Sequence, residues 1–386
     1  MLSNKNINIF CFLIFFFYFC MKITGIMKRE SNFEVLRTVA MFFIVVYHCL
    51  THGVGGEYDF STVHPASLSN LLFSDFMLVF SSVAVNLYVM ISGYFLIDLN
   101  FKMSRIVRTW VISCFYLFFI TVLLMSLGIV PFNIVSIGKS LFPISTDAYW
   151  FVTQYIGLLI LSPFLSIMLK QLTYRQYLGL LIGGAFICLA IIPDFPLGKR
   201  FHVAHGNSLL SFAYLFVVAG FIRHHLKQQS MKRLVSVISV VVLITLACEL
   251  IVGTHHHLSR LVWFDYNGLP FILSVLIFIL VKQVRVPNTI LWNGLVKLAP
   301  YTFGVYLIHD HLLVRGWLWS TFSLTLQCEE WVFPLVVIGI CLLIFLICSL
   351  IEFIRKKAFE ILRLDRLIAK TDNRYFTWIR NESQSL

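Results

Sequence analysis

Three groups of ionisable side chains stand out in this sequence, two of them inside long apolar stretches, where charge is costly and by default marks a functional site. The first is Glu34, Arg37 and His48, within SNFEVLRTVAMFFIVVYHCLTHG. At about 100° per residue, the step from Arg37 to His48 overshoots three full turns by about 20°, so the two side chains share one helix face. They stand about 16.5 Å apart along the axis, too far to touch. Glu34, three residues before Arg37, can pair with it on the same face. An imidazole at that depth can take a proton from a hydroxyl or carry a transferred group. A structural role fits the same residues: Arg37 reaching to headgroups and His48 making an interhelical hydrogen bond.

The second group is Lys102, Arg105 and Arg108, three cations within about 60° of one helix face. Guanidinium groups bind phosphate bidentately, so the cluster suits a phosphorylated ligand; ordinary anchoring at a membrane surface accounts for it equally well. The third is His309-Asp310-His311, in the middle of YTFGVYLIHDHLLVRGWLW. It is too polar to face lipid and serves either an interhelical network or chemistry, with His309 as a second candidate for proton transfer. Tyr149 and Trp150 open another apolar run, where aromatic rings stack on sugars or mark a membrane interface. No metal site is expected, because the run His255-His256-His257 has no carboxylate or Cys partner nearby. Nine cysteines without a C-x-x-C pair read as buried thiols. No P-loop, G-x-S-x-G elbow or H-E-x-x-H motif is present.

The elements that must position these groups are membrane helices. The 386 residues are 59% hydrophobic and only 12% charged, with a mean hydropathy of +0.87, against about 25% charged in soluble domains. Continuous apolar runs long enough to cross a ~30 Å hydrocarbon core predict an all-α integral membrane protein and exclude an alternating β-barrel. Ten spans are expected, near 33–53, 76–97, 106–128, 149–169, 176–193, 208–225, 234–253, 269–286, 301–320 and 331–354. The net charge of +12 is segregated: 22 of the 30 Lys and Arg fall in alternate segments that include Lys28 and Arg29, and four fall in the segments between. That bias puts both ends of the bundle in the cytoplasm and directs the basic excess to anionic lipid and cytosolic anions, not to nucleic acid. Residues 1–26 form an extra apolar segment outside this scheme, readable as an eleventh helix, a signal-like segment or codons upstream of the true start, and Met27 reads as a natural start. The bundle then covers 27–355 and a basic cytoplasmic tail 356–386.

Taken together, NFEVLRTVAMFFIVVYH, NLYVMISGYFL, KMSRIVR, YWFVTQYIGLLILSPFL and YTFGVYLIH, in that order and spacing, resemble the acyltransferase-3 family of multi-pass membrane O-acyltransferases. The resemblance implies an enzyme of the bacterial cytoplasmic membrane that modifies extracytoplasmic glycans. It implies acyl-CoA, usually acetyl-CoA, as donor substrate with no bound cofactor, and a sugar hydroxyl as acceptor. It assigns the essential roles to Arg37 and His48, with Glu34 orienting Arg37. The physical reading is compatible with it. Phosphates held by Arg105, Arg108 and Lys102 would let a pantetheine arm of roughly 10–14 Å carry the thioester towards His48, and Trp150 and Tyr149 would meet the acceptor. The competing class, a lipid-linked-sugar flippase or small-solute transporter, would show paired broken helices in inverted repeats; none is legible here.

Overall fold

The structure is a computed structural model that describes residues 30–53, 68–188, 206–255, 268–322, 324 and 330–373. Residues 1–26 and the glycine-rich stretch 54–67 lie outside the described residues. All regular structure among those described is helical: α1 Ser31–His48, α2 Leu68–Ser82, α3 Ala84–Leu96, α4 Met103–Ser126, α5 Ile134–Ser140, α6 Trp150–Gln171, α7 Tyr174–Cys188, α8 Leu209–His224, α9 Met231–His255, α10 Leu269–Gln283, α11 Ile290–Leu298, α12 Thr302–His309, α13 Leu312–Ser320, α14 Phe333–Ile361 and α15 Leu364–Ala369.

Among the described residues six helical stretches are long and apolar enough to cross a membrane: Ser31–Gly53, Leu72–Leu96, Met103–Ser126, Trp150–Gln171, Met231–Cys248 and Phe333–Ile361; Leu209–His224 and Leu269–Gln283 are shorter apolar helices. Six of the ten expected spans thus coincide with such helices, the sixth and eighth are the two shorter ones, and the fifth and ninth remain. The fifth is α7, which ends at Cys188 as far as it is described. The ninth is broken: α12 stops at His309 and α13 starts at Leu312. Two boundaries also move. The second span is preceded by helix from Leu68, so 68–75 is not loop, and the tenth continues to Ile361, so the stretch after 355 begins as helix.

α1 is the hub. It packs against α2, α3, α10, α11, α12 and α14, and Phe33, Val45 and Val46 are fully buried. Phe33 sits 4.9 Å from Tyr94 and 5.3 Å from Phe278, ring centre to ring centre. Polar side chains tie the hub to its neighbours: Asn32 Nδ2 donates to the Val281 carbonyl at 3.0 Å and Thr38 Oγ1 to the Leu295 carbonyl at 2.8 Å. In lipid there is no hydrophobic drive between helices, so such bonds and close small-residue packing hold the bundle. Gly93 supplies the latter, since a Cβ there would lie 3.0 Å from the Phe216 Cα on α8. At the rim, Phe119, Phe186 and Leu243 are more than half exposed, the apolar surface expected of a lipid-facing wall. Pro163 sits inside α6; its missing N–H frees the Leu159 carbonyl, and the Ser162 hydroxyl donates to that oxygen at 2.9 Å.

Where α3, α6 and α8 end together, Asp98 accepts from Arg223 Nε at 2.8 Å and His224 Nε2 at 3.0 Å and lies 3.9 Å from Lys170 Nζ. Partial burial works to raise this carboxyl, but the Arg223 hydrogen bond and the neighbouring charges outweigh it and hold it below the usual carboxylate range.

Candidate active site

One face of α1 forms a wall. Arg37, Met41, Ile44 and His48, spaced by four, three and four residues, all line a cavity of about 400 Å³, a size suited to a small-molecule substrate. Arg37 Nη1 donates to both carboxylate oxygens of the buried Glu34, each at 3.2 Å. Its backbone carbonyl accepts from the Tyr88 hydroxyl at 2.9 Å, and Tyr88 lines the same cavity. The chain after His48 takes a π-helical turn, Cys49–Gly53, that carries His52.

The break in the ninth span places three consecutive residues in three different environments. His309, at the end of α12, turns its Nε2 to His48 Nδ1 at 2.9 Å, and its Nδ1 meets the Val305 carbonyl. Asp310, with helical geometry lost, lies 3.5 Å from Arg315 Nη1 and 3.9 Å from His48 Nδ1. His311 caps α13, its Nδ1 accepting the Leu313 N–H at 3.1 Å. The protons follow from the acceptors. A carbonyl only accepts, so His309 Nδ1 carries hydrogen and, in the neutral ring, its Nε2 is the acceptor. His48 must then donate from Nδ1, which leaves Nε2 of His48 as the basic nitrogen on a cavity-lining residue. His309 thus stands to His48 as an orienting carboxylate stands to the histidine of a catalytic triad, without a charge.

At the opposite end from His48 the cavity wall is basic. Arg37, Arg108, Arg355 and Lys356 all line it, with Glu352 and Asp365 among them. Arg355 and Glu352 form a buried pair with two short bonds, 2.8 and 2.6 Å, and the Tyr116 hydroxyl donates to Glu352 at 2.6 Å. Gly304 permits this arrangement: a Cβ there would meet Glu352 Cγ at 2.5 Å and Cβ at 2.6 Å. Arg355, Lys356 and the pairing of His309 with His48 were not read from the sequence. Arg355 and Lys356 stand at the end of a span, where cations are routine anchors, and no local spacing links His48 to a residue so distant in the chain.

Not every expected residue reaches the cavity. Of the three cations of the second group only Arg108 lines it; Arg105 Nη1 donates to the Asn100 carbonyl at 2.9 Å, and Lys102 is exposed just before α4. Trp150 lines the cavity, but Tyr149 does not. The Tyr149 ring is buried, and its hydroxyl donates to the Leu307 carbonyl at 2.8 Å. It therefore braces α12 and has no face to offer a sugar.

Groups with metal-ligating chemistry do meet, although none was expected: His48, His52 and Asp310 bring one ligand atom each within 4.8 Å of one another. The Arg315 guanidinium already faces Asp310, and His48 Nδ1 is committed to His309. A cation there would have to compete with both.

No curated protein and no solved structure matches the chain. A family model does: the acyltransferase domain of the acyltransferase-3 family matches residues 30–353, which takes in α1 through most of α14 and every cavity residue named above except Arg355, Lys356 and Asp365. Since that match covers most of the chain, and the residues it covers build a membrane bundle around a histidine with an assigned basic nitrogen, this chain belongs to the acyltransferase-3 family and is a membrane acyltransferase.

Proposed function

We propose that the protein is an O-acyltransferase that moves an acyl group, acetyl above all, from cytosolic acyl-CoA to a hydroxyl of an extracytoplasmic glycan or lipid-linked sugar. The observation that carries this reading is the single cavity that joins a basic end, Arg108, Arg355 and Lys356, to His48 and Trp150. A donor whose phosphates lie among the guanidinium groups, Arg37 included, has its thioester some way along the α1 wall towards His48. The positive-inside bias puts the basic end on the cytosolic side, with the protein in the cytoplasmic membrane of a bacterium and both ends of the bundle facing the cytosol.

In the direct route His48 Nε2 takes the proton of the acceptor hydroxyl as its oxygen attacks the thioester carbonyl. The C–O bond forms, the C–S bond breaks, and the proton passes from the imidazolium to the departing thiolate. In a two-step route Nε2 attacks the thioester carbonyl, the C–N bond forms and the C–S bond breaks to release the thiolate; the acceptor hydroxyl then attacks the acyl-imidazole, the C–O bond forms as C–N breaks, and its proton passes to the thiolate. Both use the same nitrogen, and both need His309 to hold the ring in that tautomer. Glu34 orients Arg37, and Trp150 supplies a face for the acceptor sugar.

Mass spectrometry of surface glycans from cells with and without the gene tests the reading; glycans that carry the same ester content in both would overturn it. Donor placement has its own test. Arg108→Ala should weaken acyl-CoA binding about ten- to a hundred-fold, the loss of one charge-assisted phosphate contact worth about 1.5–3 kcal/mol. Lys102→Ala, outside the cavity, should leave binding within about two-fold, the scale of a surface charge. Calorimetric titration of the purified protein separates the two, and equal effects would show that the cavity wall does not select the donor.

A further inference from the structure

The family match ends at residue 353, and the chain beyond it folds back over the basic end of the cavity. α14 runs on to Ile361, Arg363 turns the chain with a positive φ of 57°, and α15 with the following turn Lys370–Asn373 packs along α4. Asp365 and Ile368 of this strap line the cavity. Asp365 Oδ1 sits 3.1 Å from Arg108 Nη1. Asp372 takes the N-terminus of α4: Oδ1 accepts the Ser104 N–H and Oδ2 accepts the Ser104 hydroxyl, each at 2.7 Å. α4 has no side-chain cap of its own, because the residue before it is Lys102. One short segment therefore places two carboxylates on two groups that bind phosphate well, a guanidinium and the open end of a long helix.

We propose that this strap is a built-in competitor for the donor: Asp365 and Asp372 hold the places that phosphate groups of acyl-CoA take, and the strap lifts when the donor enters. The inference rests on the acyl-CoA reading of the basic end. The contacts suit a displaceable plug. Asp365 and Arg108 have side chains 34% and 48% exposed, and an exposed pair of this kind is weak. Arg355 is different, held by the buried Glu352 whether or not the strap is in place. Ile368, 6% exposed, is the apolar anchor that returns the strap. Acyl-CoA then has to outcompete the enzyme's own acids, which sets a threshold donor concentration for activity.

Calorimetric titration of full-length protein in nanodiscs with coenzyme A tests this. A strap in place about nine-tenths of the time reduces apparent affinity about ten-fold, so Asp365→Asn with Asp372→Asn should tighten binding by up to that factor. Ile368→Ala, which loosens the strap but removes neither anion contact, should shift affinity in the same direction. Equal or weaker binding in both variants, with coenzyme A still bound by the unaltered protein, overturns the strap and leaves the donor reading standing. If no form binds coenzyme A, the strap proposal falls together with that reading.

Discussion

A His48→Ala chain is expected to insert, fold and bind acyl-CoA but to transfer acyl groups at least a hundred-fold more slowly than the unaltered protein. The base is the only group lost, and removal of a positioned general base costs about 10²–10⁴ in rate. Donor contacts lie at the far end of the cavity, so affinity for coenzyme A should stay within about two-fold. His309→Ala should behave differently. It removes the acceptor that holds His48 Nδ1–H, so the ring keeps its base but loses its fixed tautomer, and a partial loss of about ten- to a hundred-fold follows, the scale of an orienting partner. Acyl transfer measured with radiolabelled acetyl-CoA, normalised to protein in the membrane, decides both. Full activity without His48 would remove it from the mechanism. A complete loss at His309 with activity retained at His48 would reverse the two roles.

The largest effect on stability is expected at Gly304. A methyl group there overlaps the Cβ and Cγ of Glu352, atoms close to the α14 backbone that cannot swing aside as a side-chain tip can. Either α12 and α14 separate or Glu352 leaves Arg355 and Tyr116. Breaking a buried ion pair costs about 3–5 kcal/mol, so Gly304→Ala should lower the thermal midpoint in detergent by many degrees. Gly339→Ala, on α14 itself with nothing within 4 Å of the new methyl, is the control and should be neutral or gain up to about 1 kcal/mol. Thermal aggregation followed by size-exclusion chromatography compares them, and equal midpoints would mean that the two helices do not meet as closely as described.

The sequence made the α1 wall legible because Arg37 and His48 lie on one helix, and helical spacing alone puts them on one face. It did the same for the Glu34 pairing, a contact three residues long. What it did not show is which faces meet. His309 reaches His48 across most of the chain, and no periodicity carries that information. The break at Asp310 was equally hidden, since hydropathy averages over a window and the residues on either side, Leu307, Ile308, Leu312 and Leu313, keep the run apolar. Arg355 and Lys356 resembled anchors because a cation at a span end is expected whatever it touches. Tyr149 resembled an interface aromatic, and only its depth and its bond to Leu307 distinguish it from Trp150 one position later.

The broken ninth span also bears on how the protein is made. α12 and α13 have eight and nine residues, about 12–14 Å each, and neither half alone covers a ~30 Å core. Between them lies a His–Asp–His run, which is expensive to place in lipid. α14, the next long helix described, is the most apolar of the six at a mean hydropathy of 3.0. It meets α12 through Gly304 and Glu352. During synthesis the two halves should therefore wait at the translocon for α14 and enter as a hairpin with it. His309 would reach His48 only once the last long helix has been made, so that nascent chains stay catalytically silent. Crosslinking of stalled nascent chains to lipid would show it: the 302–320 stretch should reach the bilayer in chains extended past 361, and not in chains that stop before 333.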